Sequence, residues 1–115
     1  MGEFLFNQAT KKQLFEIYND VNKMVYGFGT SESKIFFVDN MIVFSVQHNR
    51  VPCLMALEDD YLVLKETVDA AIMNVFKERL RKELEERLGL HTKAVLRDYA
   101  YGCLTAVTVV ILDNN

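Results

Sequence analysis

Apolar residues recur at three- and four-residue steps from about Thr10 to Val25, at Leu14, Ile17, Tyr18, Val21, Met24 and Val25. Lys11, Lys12, Glu16, Asn19, Asp20 and Lys23 fill the positions between them. This spacing predicts an amphipathic helix. Thr10 with Gln13 offers a capping box, in which each side chain satisfies the other's free backbone N–H. Gly27 and Gly29 stop the helix, since glycine tolerates the left-handed conformation that follows a helix end.

The periodicity then changes from three and four to two. Ser33–Val38 and Met41–Val46 are rich in β-branched and aromatic residues and flank Asp39-Asn40, which predicts a hairpin with a two-residue turn. One face of it carries Ile35, Phe37, Ile42, Phe44 and Val46. The other carries Phe36, Val38, Met41 and Val43, broken by Lys34 and Ser45. A sheet with one face in water alternates apolar with polar, so a hairpin apolar on both faces calls for a cover on each.

Pro52 suits the first turn of a short helical piece over Cys53–Leu57. The acidic Glu58-Asp59-Asp60 suits the positive end of a second helix dipole. That helix is predicted from Asp60 to Leu88, closed by Gly89, and would be about 43 Å long at 1.5 Å per residue. A domain of this size has a diameter of roughly 35 Å, so the helix should overhang its sheet. Up to Phe76 the apolar stripe is broad, with Ala71/Ile72 and Val75/Phe76 paired. Beyond it one leucine per turn remains, Leu80, Leu84 and Leu88, among alternating charges. The first half is therefore expected to pack on the sheet. The second is either a solvated helix held by pairs such as Glu78–Lys82 and Glu83–Arg87 or a narrow seam against a second copy.

Thr92–Tyr99 and Leu104–Leu112 complete the chain as two strands around Ala100-Tyr101-Gly102, the last almost continuously apolar and so expected inside the sheet. The order α-β-β-α-β-β predicts a single α+β domain over residues 1–115, with a mostly antiparallel four-stranded sheet, two main helices and the second of them long. Residues 1–9 are expected to be poorly ordered or partly cloning-derived. The opening segment lacks the features of a signal peptide. Self-association as a homodimer is expected, with Leu80, Leu84 and Leu88 as one seam and the Phe36/Val43 face as another.

Composition narrows the function more than it reveals it. The chain has 115 residues, half of them hydrophobic, and a formal net charge of −3 with both signs interspersed. This describes an ordinary globular protein with no long-range field for nucleic acid or an anionic membrane. No apolar run reaches the roughly 18 residues of a membrane span. Two cysteines, Cys53 and Cys103, are too few for a disulfide framework or a zinc site, which points to a reduced, cytoplasmic protein.

Candidate chemistry is sparse. His48 and Cys53 are the closest imidazole and thiol, but the acids at 58–60 oppose a thiolate, so a structural role is expected. His91 follows the Gly89 cap and has no second ligand at metal spacing. Lys77, Arg79, Arg81 and Lys82 interleave with Glu78, Glu83, Glu85 and Glu86, the pattern of a solvated face. Gly27-Phe28-Gly29 lacks the third glycine of a dinucleotide fingerprint. Tyr99 and Tyr101 flank a turn beside Asp98, as a small aromatic contact patch or as turn residues without function. No catalytic residue, cofactor or metal is expected.

The order of features carries a resemblance. A helix ending in Tyr26-Gly27-Phe28-Gly29, a hairpin, Arg50-Val51-Pro52-Cys53-Leu54-Met55-Ala56-Leu57, a long helix to Leu88-Gly89 and then Val95-Leu96-Arg97-Asp98 with a final apolar strand resembles the MpsC-like domain family. Thr30 stands where that family's G-x-G-P turn has proline. Leu54 stands where its L-T-P-x-E-x-x-L segment has an acid. The resemblance implies a small cytosolic bacterial accessory protein, linked to a sodium-translocating, membrane-potential-generating system. The expected function is a non-enzymatic interaction or regulatory module, homodimeric, serving a membrane transport complex from the cytosolic side without inserting into the membrane. The alternative is a small-ligand sensor with an apolar pocket between the sheet and residues 52–61, lined by Phe37, Phe44, Met55 and Tyr61. An enzyme using Cys53 or Asp98 ranks third.

Overall fold

A computed structural model describes residues 7–31 and 33–113. Helix α1 spans Gln8–Tyr26, strands β1 and β2 span Ser33–Val38 and Met41–Gln47, and the short α2 spans Pro52–Met55. Helix α3 runs Leu62–Leu88, followed by β3 at Thr92–Ala100 and β4 at Thr105–Leu112. The sheet is antiparallel throughout, in the order β1-β2-β4-β3, so the most apolar strand lies inside as its pattern requires. The fold class is the α+β arrangement that the sequence predicts.

Helix α1 starts earlier than expected. Asn7 caps it, its side-chain oxygen accepting from the Thr10 amide at 2.9 Å and the Thr10 hydroxyl at 3.0 Å. Asparagine is the stronger cap, so the Thr10–Gln13 capping box gives way to a helix longer at its start. Residues 7–9 are thus placed, while 1–6 lie outside the described residues. At the other end Gly27 takes φ 88° as the C-cap. Gly29 is fixed by space instead, because a Cβ there would meet the Asn19 side-chain oxygen at 2.7 Å. That same oxygen accepts from the Thr30 amide at 2.8 Å and draws the chain back along α1.

The core lies between one sheet face and the two long helices. Leu14, Ile17, Tyr18 and Val21 of α1 meet Ile42, Phe44, Val46 and Val110 of the sheet. Tyr18 stacks on Phe44 with ring centroids 4.8 Å apart, and its hydroxyl pairs with that of Thr108 at 3.1 Å. The buried hydroxyls thereby satisfy each other at the centre of the apolar layer.

Helix α3 reverses the expectation for its two halves. Phe76, Leu80 and Leu84 are fully buried in this core, and Leu88 packs half-buried against it. They are not a seam for another copy, because α1 covers them from the flank, and Arg87 on the neighbouring face reaches Asp20 at 2.9 Å. One residue per turn is enough where a second helix lies alongside. The first half is the more exposed one instead: Leu62, Val63, Leu64 and Val75 are all substantially in solvent. The acids at 58–60 belong to the turn before α3, where Glu58 pairs with Arg50, and not to the first turn of the helix.

All helices lie on one side of the sheet. The other side carries Phe36, Val38, Met41 and Val43, as the hairpin pattern predicts, and extends through Val107, Val109 and Ile111 of β4 to Ala94 and Leu96 of β3. No described residue lies over it, and Phe36, Val38, Leu96 and Val107 are substantially exposed.

Candidate functional site

At the end of the sheet near the β3–β4 turn, six parts of the chain converge on a cleft. Tyr26 ends α1, His48 and Arg50 follow β2, and Met55 ends α2. Lys65, Asp69 and Met73 supply one wall from α3 at four-residue steps, in line with the Phe76–Leu80–Leu84 stripe. One face of α3 therefore builds the core with its second half and the cleft with its first. Arg97 and Tyr99 reach in from β3, and Tyr101 from the turn.

Strand alternation explains how β3 takes part. Val95, Arg97 and Tyr99 share the inner face, whereas Leu96 and Asp98 point outward. Tyr101 continues the inner row, its ring edge-on to Tyr99 at 4.8 Å. The turn is tied down at Leu104, which holds φ 51° while its carbonyl accepts from the His48 amide at 2.8 Å. The Tyr99 hydroxyl donates to the His48 carbonyl at 2.7 Å, so both backbone polar groups of His48 are engaged.

The cleft measures about 60 Å³ at water centres. At roughly 10–15 Å³ per water by that measure, it has room for about four to six waters, or a small organic molecule of that volume. Its walls combine four rings and two thioethers with three cationic side chains. Lys65 donates to the Tyr101 hydroxyl at 3.0 Å, sits 2.9 Å from the Asp69 carboxylate and lies over the Tyr101 ring at 4.5 Å. These hydrogen bonds, to Tyr101 first and then Asp69, hold its pKa above the ordinary lysine value. Arg50 pairs with Glu58 and covers the same ring.

Arg97 is different. It is 8% exposed, its guanidinium lies 4.4 Å over the Phe76 ring, and it donates one bond to the Tyr26 hydroxyl at 3.0 Å. Its Nε and Nη2 are buried with no hydrogen-bond partner among the described residues. No carboxylate pairs with it there, although buried charges are ordinarily paired.

His48 sits between the rings of Tyr26, Phe28 and Tyr99 with Nε2 unpartnered. Burial, with the nearby Arg97 charge as a second cause, pushes its pKa down to about 4. It is neutral at pH 7. Burial likewise raises the pKa values of Tyr26 and Tyr99.

The His48 shift has a measurable consequence. Between pH 6.5 and about 4 the unfolded chain takes up a proton at this residue that the folded chain refuses. Its contribution is complete above pH 6.5 and is lost as pH falls toward 4, on the order of 2–3 kcal/mol. Unfolding free energies of wild type and His48→Gln, measured from pH 7.5 to 4.5, should therefore differ in slope, with the variant flatter. Parallel curves would place the pH dependence in other groups.

Of the expected pocket residues only Met55 lines this cleft. Phe44 is in the core, Phe37 is half-buried at the opposite end of the hairpin beneath Lys11, and Tyr61 is exposed ahead of α3. Cys53 and Cys103 are exposed free thiols, and neither they nor Asp98 lines the cleft. The described residues contain no cluster of metal-ligating side chains and no helix long and apolar enough to cross a membrane. Compared with known protein families, curated proteins and solved structures, the chain matches none.

Proposed function

We propose that this chain is a non-enzymatic ligand-binding module whose cleft takes a small carboxylate with an aromatic or apolar body. The observation that carries the reading is Arg97, a buried cation in the cleft wall with two guanidinium nitrogens lacking partners. With a turn of the guanidinium toward the cleft, since both nitrogens are closed off from solvent, a carboxylate would accept from them in the forked geometry that arginine favours. Val51, Leu54, Met55 and Met73 would take the apolar body, and Tyr99 and Tyr101 offer ring edges to it. Against catalysis, the lining contains no thiol beside the neutral His48, and burial disfavours ionisation of Tyr26 and Tyr99.

The MpsC-like resemblance fits a role of this kind. A cytosolic accessory protein that reports a metabolite to a membrane complex needs a binding site and no reaction.

Benzoate and phenylacetate serve as probes in a thermal-shift titration, with benzamide, acetate and inorganic phosphate beside them. At a concentration 100 times the dissociation constant a ligand adds about 2.7 kcal/mol, a rise of several degrees. The aromatic carboxylates should raise the midpoint, the neutral benzamide should not, and acetate should act weakly because it leaves the apolar wall unfilled. Equal shifts with benzamide, or none with any carboxylate up to 10 mM (on the order of 100 times a 100 μM dissociation constant), would refute the proposal.

A further inference from the structure

The uncovered sheet face is patterned as well as apolar. Strand pairing sets its outward residues in rows that run across the sheet from β1 to β3. One row reads Val38, Met41, Ile111, Ala94, and the next Phe36, Val43, Val109, Leu96. The third reads Lys34, Ser45, Val107, Asp98. Its two charges stand at opposite edges of the sheet, both exposed, one basic and one acidic.

We propose that this face binds a second copy of the chain, sheet against sheet, about a two-fold axis lying in the interface nearly parallel to the strands. Such an axis exchanges the two edges of the sheet and keeps each row opposite itself. Lys34 then meets the partner's Asp98, and Asp98 the partner's Lys34. Phe36 meets Leu96, and Val43 meets Val109 at the centre. The other aligned two-fold, perpendicular to the strands through the central row, would set Lys34 over Val38 and Asp98 over Ala94, burying each charge against an apolar group. The charge pattern is therefore complementary to itself in one of the two aligned arrangements, as an isologous interface must be. Sheets packed in this way cross at about 30°, which a small rotation of the axis provides.

Area sets the strength. Four strands at ~4.8 Å and about seven residues at ~3.3 Å give a footprint of roughly 440 Å² per protomer. Two such faces bury on the order of 1,000 Å², at the low end of specific interfaces. The dimer is accordingly a reversible one, with a dissociation constant in the micromolar range.

Sedimentation velocity from about 5 to 500 μM, a range that brackets micromolar association, should show a monomer giving way to a dimer. Val43→Glu places a charge at the centre of the face and should abolish the dimer, with an unchanged circular dichroism spectrum showing that the fold survives. Lys34→Asp and Asp98→Lys each set like charges opposite one another and should weaken association about tenfold. Mixing those two variants pairs every acid with a base, so the heterodimer should form as readily as the wild-type dimer. Restoration by mixing cannot come from a folding defect in either variant. A monomer at every concentration would overturn the proposal, as would a dimer that survives Val43→Glu. Loss of the dimer on Leu64→Glu instead would move the interface to the exposed apolar start of α3, and unequal recovery on mixing would refute the axis.

Discussion

Leu84→Ala is expected to lower the unfolding free energy by about 3–4 kcal/mol, the range for truncating a fully buried leucine in a core that relaxes little. Leu84 sits in the layer formed by Leu14, Ile17, Tyr18 and Phe76, where α1 and α3 lie side by side. Leu88→Ala should cost about 1 kcal/mol, because Leu88 is only partly covered. Leu64→Ala should cost close to nothing, since that side chain is already half in water. Urea unfolding of the three variants checks the order. A loss at Leu64 matching that at Leu84 would return the core to the first half of α3, where the sequence pattern places it. Leu84→Glu buries an unpaired carboxylate in this layer and should leave the chain unfolded, so it is no probe of association.

Arg97→Met is expected to leave stability unchanged, or to raise it by about 1 kcal/mol, while removing carboxylate binding. The wild-type guanidinium gains a hydrogen bond to Tyr26 and stacking on Phe76. Against this stand two buried N–H groups without partners, each costing about 1–3 kcal/mol. Methionine fills much the same volume and keeps contact with the Phe76 ring without that penalty. Removing the charge also removes one of the two causes that lower the His48 pKa, so His48 should titrate higher in the variant and still below its ordinary value, because burial is the larger cause. Thermal unfolding, a benzoate titration and the His48 chemical shifts against pH test the three parts. A loss of more than about 2 kcal/mol in the ligand-free variant would mean that Arg97 is held for stability and not for a ligand.

Most of the elements are legible in the residues because their signals are local. The α1 stripe, the Asp39-Asn40 turn, Pro52 at the start of a helical turn and the left-handed glycines Gly27 and Gly89 each depend on neighbours within one or two turns of chain. The position of β4 inside the sheet follows from its continuous apolar run. The long helix is also legible in its extent, to within two residues at its start. Which half of it is buried is not. Val68, Ala71, Ile72 and Val75 look like a broad core stripe, and Leu80, Leu84 and Leu88 look thin, yet burial follows the place where α1 crosses.

The cleft was hidden for a related reason. Its members come from α1, the loop after β2, α2, α3, β3 and a turn, so no short window of sequence contains two opposing walls. One signal was available. Arg97 falls on the inward parity of β3, between Val95 and Tyr99, and a charge at an inward position marks either an error of register or a site. His48, read as structural, and Tyr99 and Tyr101, read as residues of a turn, become parts of one site only when Arg97 is placed among them.

Local periodicity and turn chemistry thus fixed the number, kind and order of the elements, and the apolarity of the hairpin's second face, since each of these is decided by contacts a few residues apart. The packing of α1 against the second half of α3, the convergence on Arg97 and the row that carries Lys34 and Asp98 to opposite edges of one sheet arise only after folding. They rest on contacts between residues far apart in the chain, 36 positions for Lys65 and Tyr101, 71 for Arg97 and Tyr26 and 90 for Tyr18 and Thr108, and a one-dimensional pattern holds no record of which distant surfaces meet.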